Sequence, residues 1–246
     1  MSKTTIDTAK LPIVYVIIPA YNEEQVLLET LSQVRTIQKS AHACEIYTLV
    51  VDNSSTDQTY QVARQCADVA VRENRRGYGQ AVHTGILEAK RRSADIVVVL
   101  DADGSDAPKN IISVIEPLLN DEVDFCLGQR MKFAEDGSLT TLQRYGNRFA
   151  CLLMCLVIER KYRDLGSLRA ISMPAFEKLE MDDGNFGWNI EMQIKAVQKG
   201  LRISEIDVTY QERRGGESKI SGNMVQAIKA GSIIVSSVLK YGFLKR

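Results

Sequence analysis

Four short runs of β-branched and apolar residues, each ending in a polar cluster, restrict the folds open to this chain more than any other feature. IVYVIIPA (13–20), EIYTLVVD (45–52), ADVAV (67–71) and DIVVVLD (95–101) alternate with helical periods at about 23–39, 57–66 and 79–92. Such continuous apolar runs belong to strands buried on both faces. The rhythm therefore predicts an α/β fold, a mostly parallel mixed sheet flanked by helices. The exits PAYNEE, VDNSSTD, RENRRGYG and DADGSD are all polar. Ligands of open α/β sheets sit beyond the carboxyl ends of the strands, so these four clusters are expected to meet at one crevice.

After residue 122 the rhythm changes. VDFCLGQR reads as a strand and turn, and a polar loop runs to about 139 before an apolar helix that reaches 158. SLRAIS reads as a short strand, followed by a helix over 188–199, the strand LRISEIDVTY, the loop QERRGGESKISG and a last amphipathic helix within 223–246. No repeat, low-complexity tract or linker interrupts the chain, so residues 1–246 are expected to form a single domain with halves at about 12–122 and 123–222.

With 31 basic and 31 acidic residues the chain carries no global field that favours nucleic acid. Its five cysteines are scattered and lack a CxxC pair, as expected of reduced core thiols in a cytosolic protein. The start, MSKTTIDTAKLP, is polar and leads directly into a strand, so no signal peptide is expected and the location should be cytoplasmic. FACLLMCLVI (149–158) and AGSIIVSSVL (230–239) are half the roughly 20 residues that cross a bilayer. Residues 139–170 hold six Arg or Lys against two acids, and residues 211–246 hold seven against two. Apolar helices with basic flanks suit a membrane surface, which predicts peripheral placement on the cytoplasmic face; helices of a core or a dimer are the alternative.

The stretch VVVLDADGSDAP (97–108) carries the chemistry. Asp-x-Asp at a strand end sends two carboxylates to the same side. They repel each other unless a cation sits near them, and hard oxygen ligands suit Mg²⁺ or Mn²⁺, which usually keep phosphate oxygens as further ligands. A metal-bound diphosphate on Asp101 and Asp103 follows. Capping of a helix that starts near Pro108 would account for Asp106. LDADGS also resembles the DxDG[ST] motif of haloacid-dehalogenase-type phosphatases, in which Asp101 would be the nucleophile. That motif normally follows the first strand, whereas here it follows the fourth.

Taken in order, IIPAYNEE (17–24), VVDNSSTDQT (50–59), NRRGYGQAVHTGI (74–86), LDADGSDAP (100–108), LGQR (127–130), RDLGSLRAI (163–171) and RRGGESKISG (213–222) resemble family 2 glycosyltransferases of GT-A fold. Closest is the branch of dolichol-phosphate mannose synthase and bacterial polyprenyl-phosphate sugar transferases. The resemblance implies that the first half binds the nucleotide and the second half the acceptor. Pro19, Tyr21 and Glu23 would line the nucleoside pocket, Asp52 would meet the base with Asn53 beside it, and Gly77 and Gly79 would let backbone approach the nucleotide. Asp101 would touch the ribose or sugar, and Asp103 would hold the metal. Ser105 stands where close relatives often have Gln as a further ligand. Arg130, Arg148, Arg213 and Lys219 would form the cationic half of the site, the last two in a Gly- and Ser-rich loop that suits a flap over a diphosphate.

A hydroxyl acceptor needs a general base, and Glu191 falls where the family places an acid, with Asp182 and Asp183 nearby. A phosphate monoester has its second pKa at about 6 and needs cations more than a base. The Arg-rich second half favours the latter. The reading is a metal-dependent, inverting transferase that moves a hexose from a GDP- or UDP-linked donor to a polyprenyl or dolichyl phosphate. Transfer to a hydroxyl of a glycan or small molecule, a phosphatase, and a non-catalytic nucleotide-sugar-binding protein are the alternatives.

Overall fold

The computed structural model describes residues 10–214 and 224–243. In chain order the elements are β1 (Ile13–Ala20), α1 (Glu24–Ser40), β2 (Glu45–Asp52), α2 (Thr59–Cys66), β3 (Val69–Arg72), α3 (Tyr78–Arg91), β4 (Ile96–Val99), α4 (Asn110–Leu119), β5 (Phe125–Ala134), α5 (Thr141–Ile158), β6 (Arg169–Ser172), α6 (Met173–Leu179), α7 (Trp188–Gln198), β7 (Ile203–Tyr210) and α8 (Met224–Phe243). The seven strands form one sheet in the order β3-β2-β1-β4-β6-β5-β7. β1 pairs in parallel with both β2 and β4, while β6 runs antiparallel to β4 and β5. The chain turns from one side of β1 to the other between β3 and β4, which parts the loops after β1 and β4 and opens a crevice there.

Period-2 alternation divides the strands between two cores. Tyr15 and Ile17 of β1, Leu49 and Val51 of β2, and Val97 and Val99 of β4 face α3 and α5 to α8. Val14, Val16 and Ile18, with Val50, Ile96 and Val98, face α1 and α4 instead. Both faces of each central strand are therefore dry, which is why these runs read as uninterrupted apolar sequence. α3 lies close enough to the sheet that Gly85 has no room for a side chain; a Cβ there would come within 3.0 Å of Val51 Cγ2 and closer still to Ile17.

Two departures from the sequence reading matter for the site. β5 continues to Ala134, into what reads as a polar loop, and α6 is a seven-residue helix that the sequence reading lacks. α5 starts with a capping box, in which the Gln143 amide N–H donates to Thr140 Oγ1 and the Thr140 N–H donates to Gln143 Oε1. It buries Asn147, Ala150, Cys151 and Met154 and leaves Leu142, Tyr145, Phe149, Leu152 and Leu156 exposed. All five cysteines are free, and burial pushes Cys126 and Cys151 up to about 12, so neither is a thiolate at neutral pH. No helix among the described residues is long and apolar enough to cross a membrane.

Replacing Gly85 by Val should force α3 off the sheet at a cost of about 1–3 kcal/mol, read as a lowered urea midpoint at unchanged slope.

Candidate active site

The carboxyl ends of β1 to β4 open on a cleft of about 660 Å³. Each of the four polar exits contributes to its wall: Pro19, Tyr21 and Glu23 from the first, Asn53 from the second, Arg76 to Tyr78 from the third, Asp101 and Asp103 from the fourth. Arg130 of β5, Tyr210 of β7 and Arg213 beyond it close the polar floor. Toward the surface the lining turns apolar, with Met131, Leu142 and Phe149, Phe186 before α7, and Ile234 of α8.

The turn after β4 is held from within. Asp103 Oδ1 accepts hydrogen bonds from the Ser105 amide (2.9 Å) and hydroxyl (2.6 Å). Gly104 takes φ +76°, a conformation that a side chain resists. Asp106 does not cap α4, whose first turn has no side-chain cap. Its buried Oδ2 instead accepts from Ser167 Oγ at 2.7 Å and from the Asp101 amide at 3.4 Å, and its Oδ1 has no partner among the described residues. Burial, then the neighbouring Asp106 and Asp103, pushes Asp101 up to about 7; burial pushes Asp106 up to about 6.

Such a crowd of poorly hydrated oxygens fits a divalent cation by its chemistry. Among the described residues no group of three or more His, Cys, Asp or Glu side chains is placed to hold a metal by itself.

The positive charges arrive from strands that are distant in sequence. Arg130 forks onto Asp164 through two bonds of 2.8 Å and lies over the Tyr210 ring at 4.9 Å, and Asp164 raises its pKa against the pull of burial. Arg213 Nη2 stands 2.5 Å from Asp103 Oδ2. Arg76 lies over the Tyr21 ring at 4.3 Å and donates to its hydroxyl. Arg169 is wholly buried, with its guanidinium spent on the carbonyls of Gly166, Ser167 and Asn189. It shapes the wall that carries Ser167.

A sequence model for glycosyl transferase family 2 matches residues 15–180. The chain belongs to this family. It is 33% identical over 229 residues to an uncharacterized glycosyltransferase of Mycobacterium tuberculosis (strain ATCC 25618 / H37Rv), covering 90% of this chain and 93% of the relative. Identity is 29% over 252 residues to the undecaprenyl-phosphate mannosyltransferase of Micrococcus luteus, with 95% of both chains covered. Among solved structures, glucosyl-3-phosphoglycerate synthase from Mycobacterium tuberculosis, in complex with Mn²⁺, UDP and glucosyl-3-phosphoglycerate, matches with a TM-score of 0.73 at 18% identity, over 94% of this chain and 80% of that one. That likeness is one of fold, and the fold is GT-A. The DADGS turn lies inside the span of the family match, so the enzyme is a glycosyltransferase and the phosphatase and non-catalytic readings give way.

Several residues that the sequence suggests for the site of this glycosyltransferase serve it from behind. Asp52 is buried against Arg72 at 3.0 Å and accepts from the Ser55 amide, away from the cleft lining. Asn53 reaches the cleft, but its amide is spent on backbone atoms of Glu73, Arg75 and Gly77. Gly77 and Gly79 permit close approach of the 183–185 loop: a Cβ at either would strike its backbone. Arg148 points outward from α5, while its neighbours Asn147 and Phe149 line the cleft. Lys219 lies outside the described residues.

Glu191 needs the largest correction. It is fully buried in α7, accepts from the amides of Asp182 (2.9 Å) and Asp183 (2.8 Å), and pairs with Lys195 at 2.6 Å. A carboxylate so enclosed ties down the 182–187 loop and does not line the cleft. Trp188 is core, beside Phe176 and His83. Sequence reasoning gave no role to Ser167 and Arg169, although both lie in the RDLGSLRAI stretch, and it missed Asn185, Phe186 and Asn189 of the cleft lining.

Two outcomes follow for the glycosyltransferase. The folded state holds protons on Asp101 and Asp106 that the unfolded chain releases near its ordinary 3.8, so donor-free stability should fall as pH rises from about 4 to about 7. Asp101→Asn should flatten that fall, as read by urea unfolding at pH 5 and pH 8. Glu191→Gln should cost about 3 kcal/mol of stability, because it breaks a buried ion pair, and should leave the pH profile of turnover in place.

Proposed function

We propose that this glycosyltransferase moves a hexose from a nucleotide-diphosphate sugar to a polyprenyl phosphate, with inversion at the anomeric carbon and a divalent cation as cofactor. One observation carries the reading: a single cleft joins a polar floor of Asp101, Asp103, Arg130 and Arg213 to an apolar mouth of Leu142, Phe149, Phe186 and Ile234. The floor suits two phosphate-bearing substrates, and the mouth suits an isoprenoid chain. The name of the Micrococcus luteus relative points the same way.

In this scheme the nucleoside lies by Pro19, Tyr21 and Glu23, with its base against the Tyr21–Arg76 pair. Asp101 and Asp103 would hold the cation, which when bound supplies charge stabilisation to the departing diphosphate. An oxygen of the acceptor phosphate attacks the anomeric carbon, and the bond from that carbon to the diphosphate oxygen breaks, leaving its electron pair on the nucleotide. Arg213 stabilises the phosphate charges by forked hydrogen bonds, and Arg130, its own fork held by Asp164, adds its positive charge beside them. The acceptor is already ionised and has no proton to lose, so burial of Glu191 takes nothing from this route.

The outer faces of α5 and α8 extend the apolar mouth. Leu142, Tyr145, Phe149, Leu152 and Leu156 repeat at helical spacing on α5, and Val235, Leu239 and Phe243 do so on α8. Arg144, Arg148 and Lys240 stand on the same two helices. We assign these faces to a membrane surface, where the acceptor's chain would be buried.

Purified protein assayed with UDP- and GDP-sugars, Mg²⁺ or Mn²⁺, and a short-chain polyprenyl phosphate should release nucleotide only when the lipid phosphate is present, and chelation should stop the release. Turnover with hydroxyl acceptors alone would replace the lipid reading.

A further inference from the structure

We propose that in the donor-free enzyme the Arg213 guanidinium occupies the cation's place on Asp103 and has to be displaced before the cation binds. This rests on the cation site of the function proposed above and adds an order of events to it.

Asp103 has two oxygens to offer. Oδ1 is taken by the amide and hydroxyl of Ser105. Oδ2 is the one left for a cation, and Arg213 Nη2 covers it at 2.5 Å, with Nη1 4.0 Å from Glu23 Oε1. The guanidinium thus sits on Asp103 with Glu23 on its other side, both carboxylates only 5% and 7% exposed, and it covers the oxygen that a cation held by Asp101 and Asp103 would use.

The backbone holds it there. Residues 210–214 run along the aspartate turn: Asp106 and Tyr210 form an antiparallel bridge, the Gln211 amide donates to the Ser105 carbonyl (2.9 Å), and the Arg214 amide donates to the Asp103 carbonyl (3.2 Å). The stem of Arg214 packs beside Gly104, 3.5 Å from where a Cβ there would stand, and its head pairs with Glu29. Arg213 is therefore presented to Asp103 from a strap tied on both sides of it.

A guanidinium and a divalent cation cannot share one carboxylate oxygen without strong repulsion. Cation alone should bind weakly for that reason. A diphosphate offers Arg213 a better anion and draws it from Asp103, so cation and nucleotide should each strengthen the binding of the other by the same factor.

The test is a Mn²⁺ titration of the full chain without donor, by electron paramagnetic resonance or calorimetry, repeated with UDP and with GDP. Arg213→Met should bind Mn²⁺ alone about tenfold more tightly than the unaltered protein, the scale of one charge-assisted hydrogen bond removed from competition. The gain from added nucleotide should shrink in the same variant. Arg213→Lys, which keeps a positive charge, should stay close to the unaltered protein. Mn²⁺ affinity that is unchanged or weaker in Arg213→Met overturns the proposal, as does binding to neither protein. Asp103→Asn should lose Mn²⁺; equal binding by that variant would overturn the cation site itself. None of these readouts needs an acceptor, so a wrong choice of lipid phosphate leaves them interpretable.

Discussion

Asp101, Asp103 and Asp106 leave β4 within six residues, and folding strips most of the water from all three. Carboxylates in that state cost several kcal/mol each unless something replaces their hydration. Hydroxyls of Ser105 and Ser167 and the guanidinium groups of Arg213 and Arg130 supply part of the replacement. The sheet order is what makes this possible. β6, β5 and β7 stand beside β4 and bring residues 130, 167, 169 and 213 to a turn that ends at residue 106. The deficit that remains is the property of the site that a cation and a diphosphate could use.

A second arrangement ties the two halves of the cleft together. The 182–187 loop is stapled by Glu191 of α7, receives the Tyr241 hydroxyl of α8 on Asp182 at 2.8 Å, and packs against Gly77 and Gly79 at the start of α3. Its own Gly184 and Gly187 leave no space for a Cβ beside Gln80, Asp183 and Ser237. The loop that presents Asn185 and Phe186 to the cleft is thus wedged between α3 and α8, the helix that carries part of the outer apolar face. α8 is consequently a packed part of the site wall, whatever its outer face meets.

Much of the frame was legible in the residues themselves. Four apolar runs with polar exits specify parallel strands whose ends converge, because that pattern depends only on the local period of a strand; β1, β2 and β4 are buried and β3 is a half-buried edge, while Asp101 and Asp103 lie past the end of β4 at Val99, in a turn that strand alternation does not govern. α6 escaped notice since seven residues make less than two full turns, too few for a helical period to show. The outer face of α5 was legible only as an apolar helix. Which of its sides is dry depends on where α7 and α8 pack.

Partners decided the rest. Glu191 has the same sequence whether it serves as a base or as a staple, and only the fold lays the amides of Asp182 and Asp183 over it. Asp52 turned from a base contact into the partner of Arg72, and Asp106 from a helix cap into the partner of Ser167, sixty-one residues away. By itself the sequence determined the strands, their polar exits and the carboxylate-rich turn, since short-range sterics and alternation need no distant residue. Only the tertiary structure decided which charges are neutralised and which face the cleft, because a carboxylate's role is set by the groups that replace its water, and here those groups come from other strands.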